Sequence, residues 1–90
     1  MTYEFDPAKD RANRKKHGLG LADGARVLRD AAYLEVPTVR DSDGETRVKL
    51  IGRMDGTGKL HTAVFVWRGG RRRFISVRRS NDGEDNLYRS

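Results

Sequence analysis

The sequence predicts an α+β domain in which two N-terminal helices pack on a four-stranded antiparallel sheet, followed by a short C-terminal helix or tail. Two observations carry this prediction. Helix-forming segments occupy the first third of the chain, and residues 31–79 consist of alternating or β-branched runs separated by glycine-containing turns. Turns this short force sequential strands to be antiparallel. The 90 residues are enough for one modest core, so we expect residues 1–90 to form a single domain.

The first helix is predicted from Pro7 to His17 by the signals at its two ends. Asp6 is a good N-cap, Pro7 loses no hydrogen bond at the first helical position, and Gly18 suits the left-handed residue after the last turn. A short strand at residues 3–5 can precede it. The helix is strongly basic, which is typical either of a solvated face or of a surface that contacts phosphate or a partner.

The second helix is predicted over residues 21–29, because Leu21, Ala25 and Leu28 recur at one helical face. Strands follow at residues 33–36, 46–53, 60–67 and 72–79, with Pro37 expected to close the first of them. The turns between them lie at residues 41–44, 55–58 and 69–70. Residues 81–90 can form a short helix that carries Glu84 and Tyr88 one turn apart.

Composition limits the classes of function. The chain has 19 Lys and Arg against 13 Asp and Glu, a net charge of +6, which favours a polyanionic partner and most simply nucleic acid. There is no cysteine and there are only two histidines, which excludes disulfides and thiolate or histidine-rich metal sites, so we expect no cofactor. No apolar run is long enough to span a membrane and no signal-peptide core is present, so the expected location is cytoplasmic.

The segment from Trp67 to Arg79 contains six arginines and no acidic residue. Unpaired charges are too costly in a core strand, so one face of this strand is expected to meet a polyanion across an open, concave sheet surface. Regular alternation divides its residues. Arg72, Phe74, Ser76 and Arg78 are predicted on one face, and Arg73, Ile75, Val77 and Arg79 on the other.

The chain also resembles the BrnT family of toxins along nearly its whole length. The matching motifs are Phe5-Asp6-Pro7-Ala8-Lys9, Asn13, Lys16-His17-Gly18, Glu45, Arg47, Gly52, Trp67-Arg68-Gly69, Arg73, Ile75-Ser76, Arg78, Glu84 and Tyr88. The chain departs from the family pattern at Val66, where the family usually has Thr, and at Gly20-Leu21-Ala22-Asp23, where Ser-Phe-Glu-Glu is common. Val66 therefore supplies no hydroxyl group at that position.

The resemblance implies a toxin of a type II toxin–antitoxin system. It implies a RelE-like fold, RNA cleavage that inhibits translation and growth, and neutralisation by a BrnA-type antitoxin in a heterotetramer. Operator DNA would be bound only through the antitoxin.

RNA can be cut without a metal ion because its own 2′-hydroxyl attacks the adjacent phosphate, provided that the protein positions the groups, stabilises charge and moves protons. Arg78 is the first candidate for a phosphate clamp, since arginine donates in pairs to phosphate oxygens. Ser76 could bind a phosphate oxygen or be a satisfied sheet hydroxyl. Arg68 could reach the same phosphate or be a solvated turn residue.

Proton transfer has several candidates. Glu45 and Arg47 lie two residues apart, so Glu45 is either the general base or an ion-pair partner of Arg47. Tyr88 could stack on a base, donate a proton or pack on the sheet. His17 beside Lys16 could carry protons or end the helix. Lys16, His17, Arg72 and Arg79 are the predicted RNA-binding residues.

Two other functions remain open at this point. The same arginines could hold RNA or an acidic protein segment in a binding module without catalysis, which the scarcity of clear acid and base groups favours. A DNA-binding regulator ranks third, because no recognition helix is evident.

Overall fold

The computed structural model describes residues 3–39 and 46–90, and at Val39 it describes only the backbone. The elements in chain order are β1 (Tyr3–Phe5), α1 (Pro7–His17), a 3₁₀ turn (Leu21–Asp23) leading into α2 (Gly24–Val27), β2 (Leu34–Val39), β3 (Thr46–Arg53), β4 (Leu60–Arg68), β5 (Arg71–Arg79) and α3 (Asp82–Arg89). The turn predicted at residues 41–44 lies outside the described residues. Over the described ranges, every helix is too short or too polar to cross a bilayer.

The α+β class is confirmed, but the sheet has five strands rather than four. Its order is β1-β5-β4-β3-β2. The run from β2 to β5 is antiparallel throughout, as predicted. The short N-terminal strand β1 then adds to the outer edge of β5 in parallel orientation, which makes the sheet mixed. This pairing joins segments from the two ends of the sequence, so no turn signal in the sequence predicts it.

Helix α1 has the predicted bounds because both of its ends are capped as expected. The Asp6 carboxylate accepts a hydrogen bond from the backbone N–H of Ala8 at 2.9 Å. Gly18 adopts the left-handed conformation, φ 73°, and its N–H donates to the carbonyl of Arg14. Cap chemistry is local in sequence, and local signals sufficed here.

The second predicted helix, over residues 21–29, was too long. The structure has a 3₁₀ turn followed by the single α-helical turn of α2, which ends at Val27. Gly24 sits under the ring of Phe74 so closely that a Cβ atom there would lie 2.7 Å from a ring carbon. The glycine therefore serves close packing against the sheet, at the expense of helix propensity.

Strand β2 continues through Pro37 to Val39, so the prediction that Pro37 closes this strand was wrong. Pro37 pairs in register with Val48 of β3. Because β2 is an edge strand, alternate N–H groups along it point away from the sheet, which makes such a strand tolerant of proline.

The hydrophobic core fills the space between one face of the sheet, called here the core face, and the helical segments that follow α1. Its fully buried members include Leu21, Val27, Leu50, Phe65 and Phe74. The opposite face, called here the polar face, carries hydrophilic strand positions together with some apolar ones, such as the fully buried Ile51.

Strand β5 contains an irregularity that changes which residues share a face. Phe65 pairs with Phe74, whereas the preceding residue of β4, Val64, pairs with Ser76. Two steps along β5 therefore match one step along β4, and Ile75 is the extra residue of a β-bulge.

The bulge corrects the predicted division of the arginine strand. Phe74 and Val77 are three residues apart, yet both are fully buried in the same core. Ser76 and Arg78 consequently lie on the polar face, opposite Arg72 and Phe74, so the prediction that these four residues share one face was wrong. Sequence alternation carries no mark of an inserted residue, because both phases of the strand contain arginine and apolar residues.

The polar face is not left entirely open, in contrast to the prediction. Helix α3 lies over it and buries Glu84 against the strands, leaving that residue 2% exposed. Tyr88 anchors the same helix, since its hydroxyl donates to the Asp30 carboxylate at 2.6 Å and the Arg53 guanidinium lies over its ring.

Candidate functional site

The site is organised around the buried carboxylate of Glu84, in the first turn of α3. The helix begins with a capping box. The Asn81 side chain accepts from the backbone N–H of Glu84, and Glu84 Oε1 accepts from the backbone N–H of Asn81, both at 2.9 Å. This reciprocal pair fixes the glutamate side chain in one orientation toward the sheet.

Strand residues of the polar face donate to the remaining lone pairs of this carboxylate. Arg78 forms a two-pronged pair, with Nη1 to Oε1 at 2.7 Å and Nη2 to Oε2 at 2.8 Å. Lys49 Nζ lies 3.1 Å from Oε2, and Thr62 Oγ1 donates to Oε1 at 3.0 Å. Burial would raise the pKa of Glu84, but these donors and the Asn81 N–H outweigh it and lower that pKa to about 2.

The cluster carries a net positive charge because two cations, Arg78 and Lys49, share one carboxylate. Their side chains remain 26% and 32% exposed. The hydrogen bond to Glu84 raises the pKa of Arg78. Among the described residues, no group accepts from the Arg78 Nε–H, so that edge of the guanidinium is available to a ligand.

The second wall of the site is α1, which Asn13 fixes to the outer edge of β5. The Asn13 amide donates to the carbonyl of Val77 at 2.9 Å, and its oxygen accepts the Val77 N–H at 3.1 Å. It also donates to the carbonyl of Leu19 at 2.7 Å. The side chain thus replaces a neighbouring strand at the point where β1 has ended, and it holds the C-terminal end of α1 beside the polar face.

A cleft of about 290 Å³ separates the two walls. Its lining consists of Lys9, Ala12, Asn13, Lys16, His17, Ile75 and Ser76. Partial burial, followed by the positive charges of Lys16 and Arg78, lowers the pKa of His17. A neutral imidazole, a hydroxyl group and several cations around one cleft form an arrangement that can bind a phosphodiester and accept a proton from a hydroxyl group beside it.

The structure brings together four of the predicted site residues. Ser76 and Arg78 lie two positions apart on the polar face of β5, and Lys16 and His17 face them from the end of α1. Arg47 shares the polar face of β3 with Lys49, by alternation along the strand. Glu45 lies outside the described residues, so its predicted role stays a prediction.

Two predicted RNA-binding arginines lie away from this cleft. Arg72 is on the core face, where it pairs with Glu35 at 2.8 Å and stacks over the ring of Trp67 at 4.7 Å. Arg79 pairs in register with His61 and points to the face opposite Arg78.

Two predicted catalytic residues also lie elsewhere. Arg68 is on the polar face but six residues from Thr62, the cross-strand partner of Arg78, a separation of about 20 Å along the strand. The Tyr88 hydroxyl is held by Asp30, which raises the pKa of Tyr88. Roles for Arg68, Arg72, Arg79 and Tyr88 in RNA binding or cleavage therefore lack support from their positions.

The sequence did not identify Lys49 as a site residue, nor Glu84 as the carboxylate that orients the cations of the site. Lys49 looks like an ordinary solvent-facing strand residue, and only the register with β4 and β5 brings it to Glu84. A signal for Glu84 did exist, because Asn81-Asp82-Gly83-Glu84 has the spacing of a capping box. In the described ranges there is no group of three or more His, Asp and Glu side chains able to hold a metal ion.

This fold and site define a small, basic α+β protein with a cationic cleft suited to a polyanion. A family model described as the ribonuclease toxin, BrnT, of type II toxin–antitoxin systems matches residues 5–84. The chain therefore belongs to the BrnT family of ribonuclease toxins, and the resemblance noted in its motifs is confirmed. The matched region includes both walls of the cleft. A search of curated proteins finds no match to the chain.

Proposed function

We propose that this toxin cuts RNA without a metal ion, in the cleft between α1 and the polar face of the sheet. The RNA 2′-hydroxyl oxygen attacks the adjacent phosphorus, the bond from phosphorus to the 5′-oxygen breaks, and a 2′,3′-cyclic phosphate and a 5′-hydroxyl result. The observation that supports this reaction is a cleft lined by Ser76 and His17 next to Arg78, whose guanidinium is fixed, together with Lys49, by a buried carboxylate.

His17 is the proposed general base. Its lowered pKa keeps the imidazole neutral at neutral pH, so a ring nitrogen can take the proton of the 2′-hydroxyl as that oxygen attacks. Water in the open cleft supplies the proton that the leaving 5′-oxygen needs. Glu45, two residues before Arg47 in the sequence, is the competing base. Parallel Glu45→Gln and His17→Gln variants decide between the two, because only loss of the true base should lower the cleavage rate strongly.

Arg78 and Lys49 are proposed to stabilise the charge that develops on the phosphorane. Both cations are already oriented by Glu84, so little reorganisation is needed when the charge forms, which is the condition under which such groups are most effective. The Ser76 hydroxyl and the Lys16 ammonium donate to the non-bridging oxygens.

The test is incubation of purified protein with single-stranded RNA in excess EDTA, followed by analysis of the new ends. Wild type should yield 2′,3′-cyclic phosphate and 5′-hydroxyl ends, and His17→Gln should lower the rate about 10²-fold or more. Intact RNA with a folded protein would contradict cleavage, and products with 5′-phosphate ends would contradict this mechanism.

In the cell, the proposed toxin acts in the cytoplasm, where RNA cleavage stops translation and growth. A BrnA-type antitoxin would neutralise it in a heterotetramer, and operator DNA would be bound only by the antitoxin part. Co-expression followed by light scattering on the purified complex tests the stoichiometry. The toxin alone should not retard operator DNA, whereas the complex should.

A non-catalytic binding module is the second candidate. The observation that supports it is that both terminal nitrogens of Arg78 donate hydrogen bonds to Glu84. Only one edge of the guanidinium is then left to contact RNA. Under this alternative, RNA binds at low salt, no RNA is cut, and expression without an antitoxin leaves growth unchanged.

A further inference from the structure

Helix α1 docks through a stripe of residues that is unusual for a helix beside a sheet. Positions 9, 12, 13 and 16 have the i, i+3, i+4, i+7 spacing that normally carries apolar side chains toward a core. Here they are Lys9, Ala12, Asn13 and Lys16, and of these only Asn13 is buried. These residues therefore line an open cleft and do not pack tightly against the sheet. Ala12 is too small to fill the space, and the two lysines lie on either side of Ala12.

The acidic residue of the same helix is directed away from this cleft. Asp10 accepts the backbone N–H of Leu21 at 2.7 Å and the Arg14 guanidinium at 3.1 Å. The cleft lining contains two lysines, a histidine and no carboxylate. An anion entering the cleft therefore meets uncompensated positive charge along its length.

The two lysines of the cleft lie at different positions along its length. Seven helical residues separate Lys9 from Lys16, a rise of about 10.5 Å. Lys16 and His17 lie in the last turn of α1 and line the cleft at the end near Arg78, which is the end proposed for the reacting phosphate. The Lys9 end lies two helical turns further along the same cleft.

We infer that the Lys9 end of the cleft is a subsite for a neighbouring phosphate of the RNA strand, and that Lys9 is a positioning residue for the substrate. This inference rests on the proposed function and extends it, since it makes the substrate a strand longer than a dinucleotide. The strand runs along the groove between α1 and β5, with the scissile phosphate at His17 and Arg78 and a flanking phosphate at Lys9.

The experiment compares Lys9→Met with Lys15→Met, a matched change of an exposed lysine on the same helix that does not line the cleft. Binding of a fully 2′-O-methylated, uncleavable single-stranded RNA is measured over a range of salt concentrations. Loss of one phosphate contact should lower the slope of log K against log[salt] by about 0.7 for Lys9→Met, and by less than half as much for Lys15→Met.

Cleavage assays supply the second readout. Lys9→Met should raise KM several-fold on a longer RNA with kcat nearly unchanged, and it should cut a dinucleotide as well as wild type does. Equal effects of the two variants on salt slope and KM would overturn the subsite, as would a loss of antitoxin binding by Lys9→Met with RNA binding intact. The binding measurement uses uncleavable RNA and does not depend on catalysis. If the wild-type protein cuts no RNA, the proposed reaction is refuted, but the test of the subsite remains valid.

Discussion

The two halves of β5 use the same residue type in different ways. In residues 71–74, Arg72 and Arg73 pair with Glu35 and Glu4, whose side chains are 33% and 34% exposed. In residues 76–79, Arg78 pairs with Glu84, which is 2% exposed. The bulge at Ile75 separates the halves. The outer neighbour also changes there, from the strand β1 to the helix α1.

The difference in burial decides what each ion pair contributes. Exposed pairs are screened by water and are worth about 0–1 kcal/mol, so those of the first half mainly tie neighbouring strands together. A buried carboxylate must keep its partners, because removing one leaves an uncompensated charge. The second half of the strand therefore presents its cation in one fixed orientation, which is what a phosphate site requires.

The strongest test of this contrast removes the buried carboxylate. Glu84→Ala should lower the free energy of unfolding by about 3–5 kcal/mol, because Arg78 and Lys49 lose their shared partner and α3 loses its capping box. Urea unfolding followed by circular dichroism measures the change. A loss below about 1 kcal/mol would put this pair in the same class as the surface pairs.

The next test compares the two arginines by activity. Arg78→Ala should lower the cleavage rate about 10²–10³-fold, the usual cost of losing one preorganised donor to a developing charge, whereas Arg72→Ala should leave the rate within a few-fold of wild type. Arg78→Lys keeps a charge for Glu84 and should still lose most of the rate, because lysine lacks the planar fork. Equal losses in Arg72→Ala and Arg78→Ala would place both halves of the strand in the site.

Acid should weaken the second half in particular. The pKa of Glu84 is about 2 in the folded protein against an ordinary value of 4.5. Its stabilisation is therefore complete above the ordinary value and is lost as pH falls through the folded value, which amounts to about 3 kcal/mol. The stability gap between wild type and Glu84→Gln should shrink between about pH 5 and pH 2, as measured by urea titrations. A gap independent of pH would contradict the assignment.

The smallest expected effect lies in the first half. Glu4→Ala breaks the pair with Arg73, in which both side chains are partly exposed. The change should lower the free energy of unfolding by less than about 1 kcal/mol and leave RNA cleavage unchanged. Thermal unfolding and the EDTA cleavage assay measure both quantities. A large loss of activity would mean that Arg73 belongs to the site.

Sequence signals predicted the parts of the fold that depend on neighbouring residues. Helix α1 and strand β3 have the predicted bounds, since Asp6 and Gly18 cap the helix and Val48 and Leu50 alternate along the strand. The parallel pairing of β1 with β5 could not be predicted in this way. It depends on two segments that are remote in sequence and meet only after the meander has formed.

The functional roles named from the sequence stay predictions, but four of those residues lie near one another in the structure. Arg78, Ser76, Lys16 and His17 were named from the sequence and do converge. Arg72 was misplaced, because regular alternation hides the extra residue at Ile75. Lys49 was missed, because a lysine on an alternating strand looks solvated until the register places it against a carboxylate.

The link between Asn13 and Val77 has a consequence for the order of folding. It spans 64 residues of sequence, and the Arg73 to Glu4 contact spans 69. Closing a loop of that size lowers the chain entropy before stabilising contacts can form, whereas the hairpins from β2 to β5 require only short loops. We therefore expect the meander to form first and α1 to dock late. Until it docks, the cleft has one wall, so a partly folded chain should lack the proposed RNA site.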